Sequence, residues 1–205
     1  MNRVAIVDYG LCNLDSVARA VEECGGRPHV TDDPRDLADA DSVILPGVGS
    51  YGDAMANLRE KRLDDAMTER VMGGGAPYLG ICLGMQLMAH QGSEGRGAVG
   101  LGWIDGAVRK LVPSAPGERV PHIGWNEVEP VANAPLFAGI DSGIDFYFAH
   151  GYHLDATEAS DVQGRTPYCG GFVSAIAKDN LFGVQFHPEK SQKSGFKLLA
   201  NFLRL

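Results

Sequence analysis

The stretch APYLGICLGMQLMAHQ, residues 76–91, decides the fold. Its apolar run 77–81 predicts a short buried strand, and residues 83–90 predict a helix in which Gly84 is the only helix-breaking residue. Cys82 stands between the two elements, flanked by Gly80 and Gly84. A strand that turns sharply into a helix, with a nucleophile at the bend, is the layout of a nucleophile elbow, here with Cys in place of Ser.

The two glycines around Cys82 have a physical reason to be there. The bend strains the backbone of Cys82, and side chains at positions 80 and 84 would collide with the neighbouring strand and helix. The helix would direct its N-terminal amides and positive dipole end at the sulfur and offer the Leu83 N–H to an oxyanion. Burial of Cys82 as a small apolar side chain is the alternative, and the flanking glycines favour the catalytic interpretation.

The composition of the whole chain narrows the functional classes. A chain of 205 residues fits one domain, residues 1–205, with a sizeable core. A net charge of −8 and a pI near 5.2 argue against nucleic acid as the main partner. Four scattered cysteines indicate neither a metal site nor a disulfide framework, and they fit a reducing cytoplasm. We expect no signal peptide and no membrane span, because no apolar run is long enough.

The first 90 residues alternate between strand and helix patterns. Strands are predicted at 4–7, 28–31 and 42–45, before the strand that leads to Cys82. Helices are predicted at 14–24, with Asn13 as a side-chain cap, and at 53–72. This alternation is typical of an α/β fold with a mostly parallel, doubly wound sheet.

The second half of the chain is richer in strand patterns. We expect these strands to extend the same sheet in antiparallel fashion, within one domain, at 108–112, 118–123, 145–150, 169–177 and 182–186. Residues 92–102 are predicted to form a loop. Ser191 is expected to cap a last helix whose buried stripe consists of Phe196, Leu199, Phe202 and Leu203.

The glycine-rich loop 46–52 is a second candidate site. Gly47, Gly49 and Gly52 allow its backbone to present N–H groups or to rotate a peptide plane. A phosphate-binding loop is one alternative, but no Lys follows the glycines; a plain turn is another. Ligands of doubly wound sheets bind beyond the carboxyl ends of the strands, so this loop and Cys82 can face one another.

A catalytic thiol needs a base, and His187 is the best candidate among six histidines. It ends the strand pattern 183–186, and Pro188 excludes helix directly after it. In extended geometry Glu189 points the same way as His187 and can accept a hydrogen bond from its ring. A surface turn is the alternative. His122, His150 and His153 are weaker candidates for the base.

Together with the elbow, these residues resemble a known family. GICLGMQ at 80–86 and FHPEKS at 186–191 are similar to the class I (triad) glutamine amidotransferases. Further stretches resemble the glutaminase subunits of imidazole glycerol phosphate synthases: VDYG at 7–10, PGVG at 46–49, PHIGWN at 121–126 and FYFAH at 146–150. The resemblance spans nearly the whole chain and implies the single-domain class I glutamine amidotransferase fold.

The resemblance implies a Cys-His-Glu triad that hydrolyses L-glutamine without metal or cofactor. Cys82 would be the nucleophile, His187 the base and Glu189 the residue that orients it. The Leu83 amide and an amide of the Gly47–Gly49 loop, that of Val48, would bind the oxyanion. Glutamine itself would be bound by three further residues, Gln86, Gly151 and Tyr152.

The resemblance also implies a partner, a (β/α)8 cyclase that receives ammonia through a tunnel and makes imidazole glycerol phosphate and aminoimidazole carboxamide ribotide. Trp125, Asn126, Tyr147 and Lys190 correspond to positions at or near that contact. In the family the free subunit is a poor glutaminase, so we expect little activity from this chain alone. No membrane or nucleic acid is implied.

Two departures from the family pattern and two rival functions remain. Cys12 stands where the family usually has Gly, and Gly151 stands where it has Ser or Thr. A glutaminase for another synthase, such as the pyridoxal phosphate enzyme, is one rival, but that relative has Gly-Gly-Glu-Ser in place of residues 46–49. A catalytically silent regulatory subunit is the other, and the intact triad argues against it.

Overall fold

The computed structural model describes residues 2–95 and 97–205, and within them the chain forms a nine-stranded sheet with helices on both faces. In chain order its strands are β1 (Arg3–Val7), β2 (Arg27–Thr31), β3 (Ser42–Gly47), β4 (Tyr78–Cys82), β8 (His122–Pro130), β9 (Ile144–His150), β11 (Val162–Thr166), β12 (Phe172–Lys178) and β13 (Leu181–Val184). The spatial order is β2-β1-β3-β4-β13-β12-β11-β8-β9.

The sheet has a parallel half and an antiparallel half. β2, β1, β3, β4 and β13 pair in parallel, and the strands from β13 to β9 pair antiparallel. The predicted α/β class, with a doubly wound parallel sheet and an antiparallel extension, is confirmed. The apolar residues of β1 and β3 are fully buried, as expected for strands covered on both faces.

Five α-helices lie in the described part of the chain: α1 (Leu14–Glu23), α2 (Tyr51–Glu60), α3 (Leu63–Thr68), α4 (Leu83–Gln86) and α5 (Gln192–Phe202). Val17 of α1 and Leu199 of α5 belong to one apolar cluster, and Leu58 of α2 and Met67 of α3 belong to another. The two clusters are the cores on the two faces of the sheet. None of these helices is long and apolar enough to cross a membrane.

A second sheet of four strands was not predicted. It contains β5 (Ala89–Gly92), β6 (Ala98–Val99), β7 (Ile104–Lys110) and β10 (Tyr152–Ala156), in the order β10-β7-β5-β6. The strand predicted at 108–112 therefore does not extend the main sheet. The predicted loop 92–102 contains β6, and its residue Arg96 lies outside the described residues, as does Met1.

The helix predicted over 83–90 is wrong in its length. α4 ends at Gln86, and β5 begins at Ala89. The side chains of Leu87 and Met88 are fully buried, so this stretch lacks the polar face on which helical periodicity depends. Backbone pairing with β7 instead extends the chain, with Ala89 opposite Ile104.

Other boundaries also differ from the predicted ones. The helix predicted at 53–72 is broken at Arg62, whose φ is 58°. β8 begins only at His122, after the cis peptide bond before Pro121, and β12 begins at Phe172, because the three residues before it have positive φ. The predicted strand 118–123 is therefore mostly loop.

The two predicted caps, Asn13 and Ser191, occupy N-cap positions without a side-chain capping bond in the described residues. Ser191 uses its hydroxyl elsewhere: Oγ donates to the His187 carbonyl at 2.6 Å and accepts from the Tyr147 N–H at 3.0 Å. The prediction that Ser191 caps α5 was wrong because its hydroxyl is hydrogen-bonded to the main chain of His187 and Tyr147.

The sheet order brings the two predicted site loops together. Gly47 at the end of β3 pairs with Cys82 at the end of β4. On the other side of β4, Ile81 pairs with Val184, the last residue of β13. The chain then runs to His187, so three carboxyl strand ends meet at one edge of the sheet.

Candidate active site

Cys82 lies at a strained bend between β4 and α4. Its φ of 54° and ψ of −107° are outside the regions that L-residues normally occupy. A Cβ at Gly80 would lie 2.6 Å from the backbone of Gly84, and a Cβ at Gly84 would collide with the carbonyl oxygen of Leu45. The predicted elbow geometry and the reason for both glycines are therefore present in the structure.

The single turn of α4 changes the expected electrostatics. Only Leu83–Gln86 are helical, so the macrodipole of a long helix is not available to Cys82. What the elbow offers is local: the first backbone N–H groups of the turn, including that of Leu83.

His187 and Glu189 form a buried pair beside Cys82. His187 Nδ1 lies 2.9 Å from Glu189 Oε1, and the two side chains are 4% and 2% exposed. A short 3₁₀ turn, Pro188–Lys190, follows His187 and brings the carboxylate back to the ring. This arrangement leaves Nε2 for Cys82, and Nε2 has no hydrogen bond of standard geometry to any described residue.

The surroundings of His187 favour its charged form. Burial by itself lowers the pKa of His187, but its interactions with Cys82 and Glu189 raise it to about 10. This shift favours the protonated ring, which can donate a proton to a leaving group. The Cys82 sulfur is close enough to the ring to contribute to this shift.

The main chain holds His187 in place. Its N–H donates to the Tyr147 carbonyl at 2.8 Å, and its carbonyl accepts from Ser191 Oγ. Ser191 in turn accepts from the Tyr147 N–H, so β9 is joined to the turn that carries the base. The position of the imidazole is therefore set by an interstrand network.

Gln185 is a site residue that the sequence did not reveal. Its Nε2 donates to Cys82 Sγ at 3.6 Å, and its Oε1 accepts from Gln86 Nε2 at 2.9 Å. Gln86 Nε2 also donates to the Tyr152 carbonyl at 2.8 Å. Both N–H groups of the Gln86 amide are thus engaged, and its Oε1 is the atom left for a ligand. The full burial of Gln185, two residues before His187, could not be inferred without the fold.

A cavity of about 250 Å³ opens beside Cys82. Of the predicted site residues it is lined by Val48, Gly49, Cys82, Leu83, Gln86, Gly151 and Tyr152. Its volume lies below the range typical of drug-sized ligands, which suits a small metabolite. Glu94 also lines it and was missed, because it falls in the predicted loop 92–102.

The glycine loop does not direct the Val48 amide at the cavity. The Val48 N–H donates to the Leu11 carbonyl at 2.9 Å, so in this conformation it is engaged with the loop after β1. The predicted second oxyanion amide is therefore not available here. Gly47 lacks a Cβ for a steric reason as well, since a Cβ there would collide with the hydroxyl of Tyr9.

Gly151 does not need to be glycine. A Cβ there would make only ordinary contacts, 3.7 Å to Val120 Cγ1 and 3.9 Å to Pro121 Cβ. The departure from Ser or Thr therefore removes a side chain from the cavity wall without a backbone reason.

His122 and His150, two of the weaker candidates for the base, form a neutral pair, and His150 also lines the cavity beside Cys82. His122 Nδ1 lies 3.1 Å from His150 Nε2, and His150 Nδ1 donates to the Tyr152 carbonyl at 2.8 Å. Burial lowers the pKa of His122 to about 4 and that of His150 to about 3. His153 is not part of this pair.

Three of the four predicted interface residues lie together, and Asn126 faces the other side of β8. Trp125 is 46% exposed and packs edge-on against Tyr147, with ring centroids 6.0 Å apart. Lys190 Nζ lies 5.9 Å above the Tyr147 ring, and Asn126 Nδ2 is 3.2 Å from His122 Nε2. Tyr147 also contacts the main chain of His187, so this surface adjoins the base.

Metal-binding side chains do not gather at the site. Among residues 2–95 and 97–205, no group of three His, Cys, Asp or Glu side chains could hold a metal ion.

Comparisons with known proteins agree with the fold and with the sequence motifs. Residues 5–205 match the family described as "Glutamine amidotransferase class-I". The chain is 46% identical, over 99% of its length and 98% of the relative's, to the imidazole glycerol phosphate synthase subunit HisH of Caulobacter vibrioides. It is 48% identical to the subunit of that name from Moorella thermoacetica, over 98% and 94% of the two chains.

Solved structures show the same fold at lower identity. The PurLQS structure from Thermotoga maritima superposes with a TM-score of 0.76 and 22% identity, covering 100% of this chain and 99% of that one. The glutaminase domain of Trypanosoma brucei CTPS gives a TM-score of 0.68 at 18% identity, covering 100% and 94%.

Proposed function

This chain belongs to the class-I glutamine amidotransferases, and on that basis we propose that it is the glutaminase subunit of an imidazole glycerol phosphate synthase. It hydrolyses L-glutamine to glutamate and ammonia for histidine biosynthesis. The observation that carries the site assignment is the strained Cys82 beside the buried His187–Glu189 pair, at the wall of a small cavity.

The proposed mechanism uses the triad in two steps. His187 takes the proton of the Cys82 thiol, and the sulfur attacks the carboxamide carbon of glutamine. His187 then gives that proton to the leaving nitrogen, the C–N bond breaks and ammonia departs. The resulting γ-glutamyl thioester is attacked by water, whose proton passes to His187, and glutamate leaves as the sulfur is released. Glu189 keeps Nδ1 protonated, so that Nε2 handles the proton in both steps.

The oxyanion formed in each step requires backbone donors. Leu83 supplies one amide and Val48 the second, once the peptide between Gly47 and Val48 has rotated away from Leu11. Loss of one such donor typically lowers the rate ~10²–10³-fold. Because the Val48 amide is engaged in this conformation, we expect the free chain to be nearly inactive until a partner shifts the loop.

The polar groups around the cavity suit the two ends of glutamine. Gln86 Oε1 can accept from the carboxamide N–H, and Glu94 can pair with the α-ammonium group. Backbone groups of Gly49, Gly151 and Tyr152 are left for the α-carboxylate end.

A (β/α)8 cyclase is the proposed partner, in a heterodimer in the cytoplasm. Ammonia released into water would be diluted and protonated, so the product must pass directly to the enzyme that consumes it. Trp125, Asn126, Tyr147 and Lys190 are the proposed contact, since an exposed Trp125 ring packs on the half-buried Tyr147 ring and Lys190 adds a cation above it. Ammonia would leave there, and the cyclase would make imidazole glycerol phosphate and aminoimidazole carboxamide ribotide.

Replacing the nucleophile tests this function. The chain is co-purified with the cyclase, and turnover is measured with glutamine and with ammonium salt. We expect Cys82→Ala to abolish glutamine-dependent turnover and to leave ammonia-dependent turnover intact. Cys24→Ala is the matched control, because that thiol contacts the Phe196 carbonyl, away from the site. Glutamine-dependent turnover that survives Cys82→Ala would contradict the proposal.

A further inference from the structure

Tyr9 lies behind the glycine loop with its hydroxyl unused. The side chain is fully buried, and Oη has no hydrogen bond of standard geometry in residues 2–95 and 97–205; the Cys12 thiol is its polar neighbour. Burial raises the pKa of Tyr9 well above its usual value, so the hydroxyl remains a proton donor. A buried hydroxyl without a partner destabilises a fold, and its presence therefore requires an explanation.

Gly47 lies directly against this hydroxyl. The space that a Cβ of Gly47 would occupy is taken by Tyr9 Oη. Two neighbours in the same loop after β1 also contact the glycine loop: the Leu11 carbonyl accepts from the Val48 N–H at 2.9 Å, and Cys12 Sγ donates to the Pro46 carbonyl at 3.3 Å. The loop after β1 thus offers two donors to the glycine loop, the Cys12 thiol and the Tyr9 hydroxyl. The thiol is bonded to the Pro46 carbonyl, and the hydroxyl has no acceptor among the described residues.

Rotation of the peptide between Gly47 and Val48 would give that donor an acceptor. In a planar trans peptide the N–H and C=O point in opposite directions. The Gly47 carbonyl therefore points away from Leu11 now, and it would turn towards the loop after β1 when the Val48 N–H turns to the cavity. There it would meet the Leu11 carbonyl, which cannot donate, and the Tyr9 hydroxyl, which can.

The rotated loop needs such a bond, because rotation is unfavourable for Val48. Turning the plane changes ψ of Gly47 and φ of Val48 together. Glycine tolerates the change, whereas a β-branched residue resists positive φ. The freedom to rotate that the glycines provide is therefore available at Gly47 and not at Val48.

We propose that Tyr9 is a positioning residue of the oxyanion site: its hydroxyl donates to the Gly47 carbonyl in the rotated loop and stabilises the conformation in which Val48 N–H faces the substrate. This inference rests on the proposed function, since it assumes that Val48 binds the oxyanion.

Tyr9→Phe in the complex with the cyclase tests it. We expect kcat for glutamine to fall about tenfold with KM unchanged, the effect of one hydrogen bond. Alkylation of Cys82 by iodoacetamide should keep its rate, because that reaction forms no oxyanion. The melting temperature of the free chain should not fall, because the hydroxyl has no partner in the resting loop.

Tyr78→Phe is the comparison for stability. The Tyr78 hydroxyl is equally buried but donates to the Gly84 carbonyl at 2.9 Å, so its removal should lower the melting temperature. An unchanged kcat in Tyr9→Phe would overturn the inference, as would a drop in kcat matched by slower alkylation or by a lower melting temperature. A wild-type complex without glutaminase activity would instead contradict the proposed function.

Discussion

His187 and the His122–His150 pair are buried to a similar degree. The surroundings of His187 favour a protonated ring, whereas those of His122 and His150 favour neutral rings. The pKa of His187 is raised to about 10, and those of His122 and His150 are lowered to about 4 and about 3. Burial lowers all three, so the difference comes from the partners: a carboxylate and a thiol on one side, a second imidazole and neutral amide groups on the other.

This difference shows how one fold gives the proposed catalytic histidine a different protonation preference from two other buried histidines. The ring beside Glu189 can exchange a proton with Cys82. The His122 ring stacks between Phe148 and Tyr168, with centroids at 4.8 Å and 4.2 Å, and acts as a packed aromatic with fixed hydrogen bonds. The residue type alone does not distinguish the two roles.

The largest expected effect comes from replacing each histidine by Asn in the complex with the cyclase. His187→Asn should lower glutaminase kcat about 10³–10⁴-fold, because proton transfer and thiol activation are both lost. His122→Asn should lower it less than about tenfold, because general acid–base catalysis does not involve that ring. Steady-state glutaminase assays measure both values of kcat. Equal losses in the two variants would contradict the difference in role between His187 and His122.

A smaller effect is expected from Glu189→Gln, which keeps the shape of the partner and removes its charge. The pKa of His187 should fall, as followed by NMR titration of the ring, and kcat should fall about 10²-fold. Glu118→Gln is the control, since Glu118 binds backbone N–H groups of Ser114 and Cys169 outside the site. A His187 pKa that stays near 10 in Glu189→Gln would show that the carboxylate does not set it.

A separate effect is expected in the pH dependence of stability, measured by urea unfolding of the free chain. Because the folded pKa of His187 is raised, its contribution is complete below about pH 6.5 and is lost as the pH rises towards about 10. Because those of His122 and His150 are lowered, stability falls as the pH drops from about 6.5 towards 4 and 3.

Single variants separate these two pH windows. His187→Asn should flatten only the alkaline decline, and His122→Asn should reduce only the acid decline. A variant that changes both windows equally would mean that the two sites are coupled rather than independent.

The sequence correctly predicted the parts of the fold whose conformation depends on residues close together in the chain. The apolar run 77–81 predicted the buried strand β4. Gly80 and Gly84 are required because a side chain at either position would collide with the backbone at the bend. Glu189 was predicted beside His187 from extended geometry; the pairing is present, but the 3₁₀ turn Pro188–Lys190 produces it, so the predicted local conformation was wrong.

Prediction was wrong where distant partners decided the local structure. The chain extends into a strand at Ala89–Gly92 because β7 pairs with it. The Ser191 hydroxyl accepts from the Tyr147 N–H, 44 residues away, instead of capping α5. In both cases a hydrogen-bond partner far along the chain replaced the local one.

The sequence by itself determined the chemistry available to this protein: a thiol held between two glycines, an imidazole followed two residues later by a carboxylate, and a flexible loop of glycines. Tertiary structure alone decided which of these groups meet, which histidine is charged and which way the glycine loop faces. The reason is physical, because proximity, burial and hydrogen-bond direction depend on residues that are neighbours only after the sheet has formed.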